Sequence, residues 1–461
     1  MEAAPRHLSA IDPSLVPAAL WTRAYLRRCA RTPGTTDLTI ALRRDDGTSS
    51  SFDTKVLARG IDDAATYFHV ERTVKFLLWS RGAPDILLCG PEASALSERL
   101  QKDYSPDGHR AFDVDFMSKV FERPVRISSV EAASLPPTSP SHLTLGRHLD
   151  GCRIGFDLGG SDRKCAALLD GKVVFSEEVK WDPYFQSDPT YHLTGIRHSL
   201  DLAASHLPRV DAIGGSSAGV YVDNKVRVAS LFRGITDQAV FDSQVRDMFV
   251  NLAGSYGVPF EVLNDGDVTA LAASMSLGRN AVLGVAMGTS VAAGYVDKAG
   301  NLTNWLSELA FVPVDYRPEA PQDEWSGDRG CGVQYFSQQG VGRLLPLAGI
   351  TLPAEMRLPE RLEELQRLML AGDPRALMVY EAIGIALGYA IAHFASFYEM
   401  SCLLIMGRVT SGQGGNAIID RAKHVLRDEF PELRIDLLVP DEKDKRHGQA
   451  VAAASLPALT R

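Results

Sequence analysis

Two short segments carry residue types that could handle a phosphate and a hydroxyl proton. In the first, the apolar run from Ile154 ends in Asp157-Leu158-Gly159-Gly160-Ser161, and Lys164–Leu169, Asp170-Gly171 and Lys172–Val179 follow as run, turn and run. That order reads as a strand feeding a β-hairpin. Glycines without a Cβ let backbone N–H groups approach a phosphate, while Asp157 and Ser161 could address phosphate oxygens and a hydrated metal ion. The same turn also occurs as an ordinary surface loop, and Lys164 reads equally as a phosphate neighbour or a solvated lysine. In the second segment, Asn264-Asp265 follows the apolar Phe260–Leu263 and precedes a helical pattern over Val268–Leu277. The carboxyl edge of a sheet is where α/β folds keep their sites, so Asp265 could take a proton from an alcohol and Asn264 could hydrogen-bond hydroxyls. The competing reading is a turn whose Asp267 caps the next helix.

The surrounding elements form two similar series. Helices are expected at Leu193–Leu207 and Gln238–Tyr256, with a strand at Ala212–Ser216 between them. Ala281–Ala286 then starts a second strand, and Met287-Gly288-Thr289-Ser290 turns into a hairpin through Val291–Val296. A long helix, Pro374–Tyr398, leads into Cys402–Met406 and a glycine-rich loop from Gly407 to Gly415. Two strand–hairpin units on one chain predict a duplicated α/β domain with a cleft between its halves. Gly384 and Gly388 inside the long helix each cost about 1 kcal/mol relative to alanine, which predicts close helix packing there.

Leu135-Pro136-Pro137-Thr138-Ser139-Pro140-Ser141 reads as a linker that sets off residues 1–140 as an N-terminal α/β domain. Within it Ala18–Arg28, Ala93–Tyr104 and Phe112–Phe121 have helical patterns, Leu38–Leu42 and Ser51–Val56 look like strands, and Val74–Trp79 and Ile86–Cys89 are short apolar runs. No chemical constellation stands out. Trp79, Arg81, Asp107, His109 and Asp113 read as parts of solvated turns and caps.

The chain has 461 residues, 45% hydrophobic and 23% charged, which leaves room for about three domains. A net charge of -9 and the lack of a basic run with interleaved aromatics argue against a nucleic-acid partner. Met1–Leu20 contains Glu2 and Asp12 and has no signal-peptide core, and no stretch approaches the ~18 apolar residues of a membrane span. A cytoplasmic protein without a membrane partner is expected, and self-association is left open. Six scattered cysteines without C-x-x-C spacing fit reduced, buried thiols.

Over about residues 151–461 the ordered motifs resemble those of the acetate/sugar kinase–Hsp70–actin superfamily, and within it the ROK family of sugar kinases and sugar-responsive repressors. Asp157-Leu158-Gly159-Gly160-Ser161 resembles the first phosphate motif, Leu263-Asn264-Asp265 the family's Glu-Asn-Asp, and Gly288-Thr289-Ser290 with Gly294 the second phosphate motif. Leu404–Val409 stands where the adenosine loop would be, and Gly448-Gln449-Ala450 resembles the start of the last helix. The resemblance implies duplicated ribonuclease H-like (actin-like ATPase) lobes, 151–268 with a returning helix at 445–458 and 269–440, around an interdomain cleft. It implies ATP-dependent phosphorylation of a sugar hydroxyl, with Asp265 as general base and Asn264 and Glu308 orienting the sugar. Gly159, Gly160, Ser161, Gly288, Thr289 and Gly407 would hold the nucleotide, and Asp157 would hold Mg²⁺ through water.

The chain also departs from the family pattern. The run matching Gly-Glu-x-Gly-His is Ser307-Glu308-Leu309-Ala310-Phe311, so Glu308 remains and Phe311 replaces the histidine. The family's zinc loop maps onto Glu324–Val333, where Cys331 is the remaining thiol, so no structural zinc is expected. Ser290, Ala292 and Ala293 crowd the second phosphate loop, and Arg408 replaces a glycine in the adenosine loop. These changes frame the alternative, a catalytically degenerate sugar or nucleotide sensor of the same fold.

Overall fold

The computed structural model describes residues 4–139, 142–143, 145–439 and 448–459. Pro140 and Ser141 of the expected linker, and residues 445–447 of the expected last helix, lie outside them. The chain divides into two compact units. The first gathers Met1–Ser141, Val285–Ala292 and Trp305–Leu438, and the second gathers His142–Gly284, Ala293–Asn304 and Val439–Arg461.

The second unit is built on a five-stranded sheet in the order Phe260–Asn264, Ala212–Ser217, Cys152–Leu158, Asp162–Leu169, Lys172–Lys180. Cys152–Leu158 pairs in parallel with Ala212–Ser217 and antiparallel with Asp162–Leu169. All seven of its residues are buried, as a strand covered on both faces requires. The hairpin beside it closes through Asp170 and Gly171 at φ +46° and +77°, the positive angles a tight hairpin turn demands. One face packs on Pro189–Ala204 and Met248–Tyr256 through Phe156, Leu200, Ile213 and Phe249. The expected single helix Gln238–Tyr256 is interrupted by a π-turn at Phe241–Val245, where the Arg246 N–H bonds back to the Phe241 carbonyl. Against the other face lies the helix Gly448–Ala454. A Cβ on Gly155 would stand 1.8 Å from the Ala450 carbonyl oxygen and one on Gly214 1.7 Å from that of Ala453, so both strands need glycine for the helix to approach.

The first unit contains a four-stranded sheet in the order Ser49–Leu57, Thr35–Arg43, Asp85–Cys89, Arg126–Ser129. Its central helix, Asp63–Ser80, is capped by the Asp62 carboxylate, which accepts from the Ala65 N–H. The run Val74–Trp79 is the last part of this helix. Its buried surface also carries the polar His69, Glu71, Arg72 and Lys75, and those residues conceal the helical period.

The N-terminal segment shares its unit with 305–438. Trp79 packs on Phe311 at 4.4 Å between ring centres, and the Glu308 N–H bonds to the Trp79 carbonyl. Trp79 and Asp113 are therefore not parts of solvated turns: both are buried, and the indole N–H donates to Asp113 at 2.6 Å. Pro374–Phe394 corrects a second expectation. Among the described residues it is one helix long and apolar enough to cross a membrane, but 83% of its apolar window is buried, as in a core helix. Its glycines do serve packing, since a Cβ on Gly384 would meet the Ile418 carbonyl oxygen at 2.5 Å and one on Gly388 the Val425 Cβ at 2.6 Å.

Candidate functional site

Parallel strands of the second unit carry Asp157, Ser216 and Asp265 to their carboxyl ends. The Ser216 hydroxyl donates to Asp157 at 2.7 Å, and the Gln449 amide donates to Ser216 at 2.9 Å. Lys164 stands 3.9 Å from Asp157 and 3.2 Å from Asp162, while the Ser161 hydroxyl donates to Asp162 at 2.8 Å. Burial raises the Asp157 pKa against the opposing effects of Ser216 and Lys164. Asp265 opens the helix Asp265–Leu277 and keeps partial access to solvent. Burial first, and the charge of Asp157 second, push its pKa up to about 6. Two buried carboxylates with raised pKa values, one of them raised further by the other's charge, are a signature of sites that move protons or hold cations.

Asn264, not Asp267, caps the helix. Its side-chain oxygen accepts from the Gly266 N–H at 2.7 Å, and its amide donates to the Gly219 carbonyl at 2.7 Å. That pairing fixes Asp265 in place and leaves one amide proton of Asn264 for a ligand. Gly266 itself lies against the chain, because a Cβ there would be 2.1 Å from the Ala293 carbonyl oxygen.

The glycines of the first motif divide their duties. The Gly159 N–H is donated to the Asp162 carbonyl at 2.9 Å, and the Gly159 carbonyl accepts from the Trp181 indole at 2.7 Å. A Cβ on Gly160 would fall 2.0 Å from the Tyr184 hydroxyl, so the phenol covers that face, with the Arg233 guanidinium 4.1 Å from the ring centre on Tyr184. The backbone N–H groups of Gly160 and Ser161 have no partner among the described residues. Tyr184, Ser216 and Gln449 come from distant stretches of sequence. Ser216 ends an expected strand and Gln449 sits in a noted motif, but nothing in the sequence marks Tyr184.

The remaining expected residues are in the first unit. Thr289 is exposed, Gly288 donates its N–H to the Ser290 carbonyl at 2.9 Å, and a Cβ there would meet nothing nearer than 3.8 Å. Gly407 has φ +102° and backs onto Met287, whose carbonyl oxygen would be 2.4 Å from a Cβ, so backbone packing accounts for that glycine. Glu308 is half-buried and Phe311 sits among Trp79, Phe112 and Trp325. In the Glu324–Val333 loop, Asp328 pairs with Lys75 and Arg110, and burial pushes the Cys331 thiol well up.

No family model and no curated protein matches the chain in sequence. Solved structures do match its fold. A ROK family glucokinase from Streptomyces griseus, in complex with glucose and AMPPNP, matches at a TM-score of 0.50 and 19% identity over 66% of this chain and 98% of that one. The ROK hexokinase from Thermus thermophilus matches at 0.51 and 18% over 66% and 96%. A ROK family transcriptional regulator, a homolog of the E. coli MLC protein, matches at 0.51 and 17% over 84% and 96%. The chain thus has the duplicated ribonuclease H-like, sugar-kinase-like fold of these proteins.

Proposed function

We propose that the chain is an ATP-dependent kinase acting on the hydroxyl of a sugar or sugar derivative. The observation that carries this reading is Asp265, a partly exposed carboxylate at a strand end whose pKa is pushed to about 6. A general base works best with a pKa near the operating pH, and Asp265 would accept the proton of the attacking hydroxyl. The remaining amide proton of Asn264, and Glu308, would orient the sugar. Gly159, through its turn, and the unpartnered N–H groups of Gly160 and Ser161 would position phosphate, with Gly288, Thr289 and Gly407 on the rest of the nucleotide. The Asp157 carboxylate, buried beside a second acid, fits a cation held through water, and Mg²⁺ there would neutralise phosphate charge. No structural zinc enters this reading.

A coupled assay for ADP release over a panel of monosaccharides tests the proposal. Asp265→Asn should lower kcat by about 10²-fold or more on any substrate found, the usual worth of a general base, while the protein stays folded. Turnover near the wild-type rate in that variant would overturn the assignment. The Tyr184 phenol over Gly160 supports a second reading, a sensor that no longer admits nucleotide. A kinase should gain about 2.7 kcal/mol of stability from ATP-Mg²⁺ at ~100 times its Kd, whereas the sensor should gain none.

A further inference from the structure

A second site lies in the first unit. A cavity of ≈ 370 Å³ opens between the edge of the four-stranded sheet, the Asp63–Ser80 helix and the end of Pro374–Phe394. Its volume falls within the ~300–1,000 Å³ of small-molecule pockets. Two of its lining residues, His69 and His393, are each only 2% exposed. His69 shares a 2.9 Å hydrogen bond with the Thr54 hydroxyl, but neither ring nitrogen of His393 has a partner among the described residues. An imidazole has a donor and an acceptor to satisfy when neutral, and buried polar atoms left unpaired call for an explanation.

The chemistry of the wall selects the occupant. Burial drives His69 down to about 4 and His393 to about 3, so both rings are neutral at physiological pH. They therefore offer hydrogen bonds but no charge. Thr54 and Thr73 also line the cavity, and the rings of Phe52 and Phe397, stacked at 4.8 Å, give it a carbon face. The lining cation, Lys55, is 2.7 Å from Asp37, and the further rim carboxylate of Asp53 disfavours an anion. Hydrogen-bonding groups next to an aromatic wall, with His393 5.2 Å from Phe397 between ring centres, suit a ring with hydroxyls along its edge and C–H groups on its face.

We propose that this cavity is a second small-molecule site, taking an uncharged, hydroxyl-rich ligand of about monosaccharide size. It shares no residue with the Asp157–Asp265 site and does not rest on the kinase reading.

Histidine Cε1–H resonances of the full chain provide the test, with His69 and His393 assigned by His69→Gln and His393→Gln. The probes are D-glucose, N-acetyl-D-glucosamine and D-glucitol, with D-glucuronate as the charged control. At least one neutral probe should shift both resonances saturably in the millimolar range, equally in wild type and in Asp265→Asn, while D-glucuronate does not. Thr54→Val should weaken that response by about tenfold, the equivalent of ~1.4 kcal/mol. Ser396→Ala, a second lining substitution, covers the case in which Thr54→Val unfolds. The proposal is overturned if none of the neutral probes moves these resonances, which would mean a cavity filled by water alone. It is equally overturned if D-glucuronate binds as well, or if the response disappears with Asp265→Asn.

Discussion

At Asp265 the environment that suits a base also weakens the fold. The carboxyl has its ordinary pKa of 3.8 when unfolded and about 6 when folded, raised by burial and then by Asp157. Between those values the folded chain holds more protons than the unfolded one, so this group's contribution falls as pH rises from about 4 to about 6. Asp265→Asn should therefore melt above wild type near pH 7 and show no such advantage near pH 3, measured by thermal unfolding at both pH values. Activity should move oppositely. Deprotonation is needed for a base, so kcat/KM should rise with pH through about 6, and a flat profile there would remove Asp265 from that role. Asp157 and Asp265 are legible in the sequence because each follows an apolar run that must be a strand. Ser216, Gln449 and Tyr184 surround them only once the sheet has brought distant segments together, and no local pattern could announce Tyr184 over Gly160.

At the scale of elements, glycines separate close packing from mere flexibility. The helix Gly448–Ala454 rests on Gly155 and Gly214, where a Cβ would lie within 1.8 Å of a carbonyl oxygen. Gly155→Ala must push that helix off the sheet that also carries Asp157, and overpacking of this kind typically costs about 1–3 kcal/mol. Gly254 is the contrast. It lies in the helix Met248–Tyr256 with nothing within 4 Å of a Cβ, so Gly254→Ala should stabilise by about 0.5–1 kcal/mol through helix propensity alone. Denaturant melts of the two variants should move in opposite directions. The strand–hairpin order is readable because apolar runs and the Asp170-Gly171 turn are local signals. The π-turn at Phe241–Val245 is not, since its cause lies in how the helix meets its neighbours.

For the molecule as a whole, what the sequence hid most was the place of its first third. The proline-rich stretch after Leu135 reads as a linker that sets off an N-terminal α/β domain, and Met1–Ser141 shares a compact unit with 305–438. The reason lies in charges that look solvated in a one-dimensional reading. Lys75 is fully buried and bonds Asp113 at 2.9 Å while also pairing with Asp328, and Arg110 bonds Glu71 at 2.7 Å and pairs with Asp328 too. Burial works against the Lys75 charge, but the two carboxylates outweigh it and raise its pKa, so the ammonium stays charged. Asp113 comes from the N-terminal segment and Asp328 from the loop that resembles the family's zinc loop, so Lys75 joins the two by charge. Removing one member of a buried ion cluster leaves its partners uncompensated and typically costs about 3–5 kcal/mol. Lys75→Met should show that loss in a urea melt. The double change Lys75→Met with Asp113→Asn should recover much of it, because Asp328 still balances Arg110 and the damage comes from stranded charge more than from lost attraction. If Lys75→Met unfolds at the wild-type urea concentration, the cluster does not hold the N-terminal segment in place.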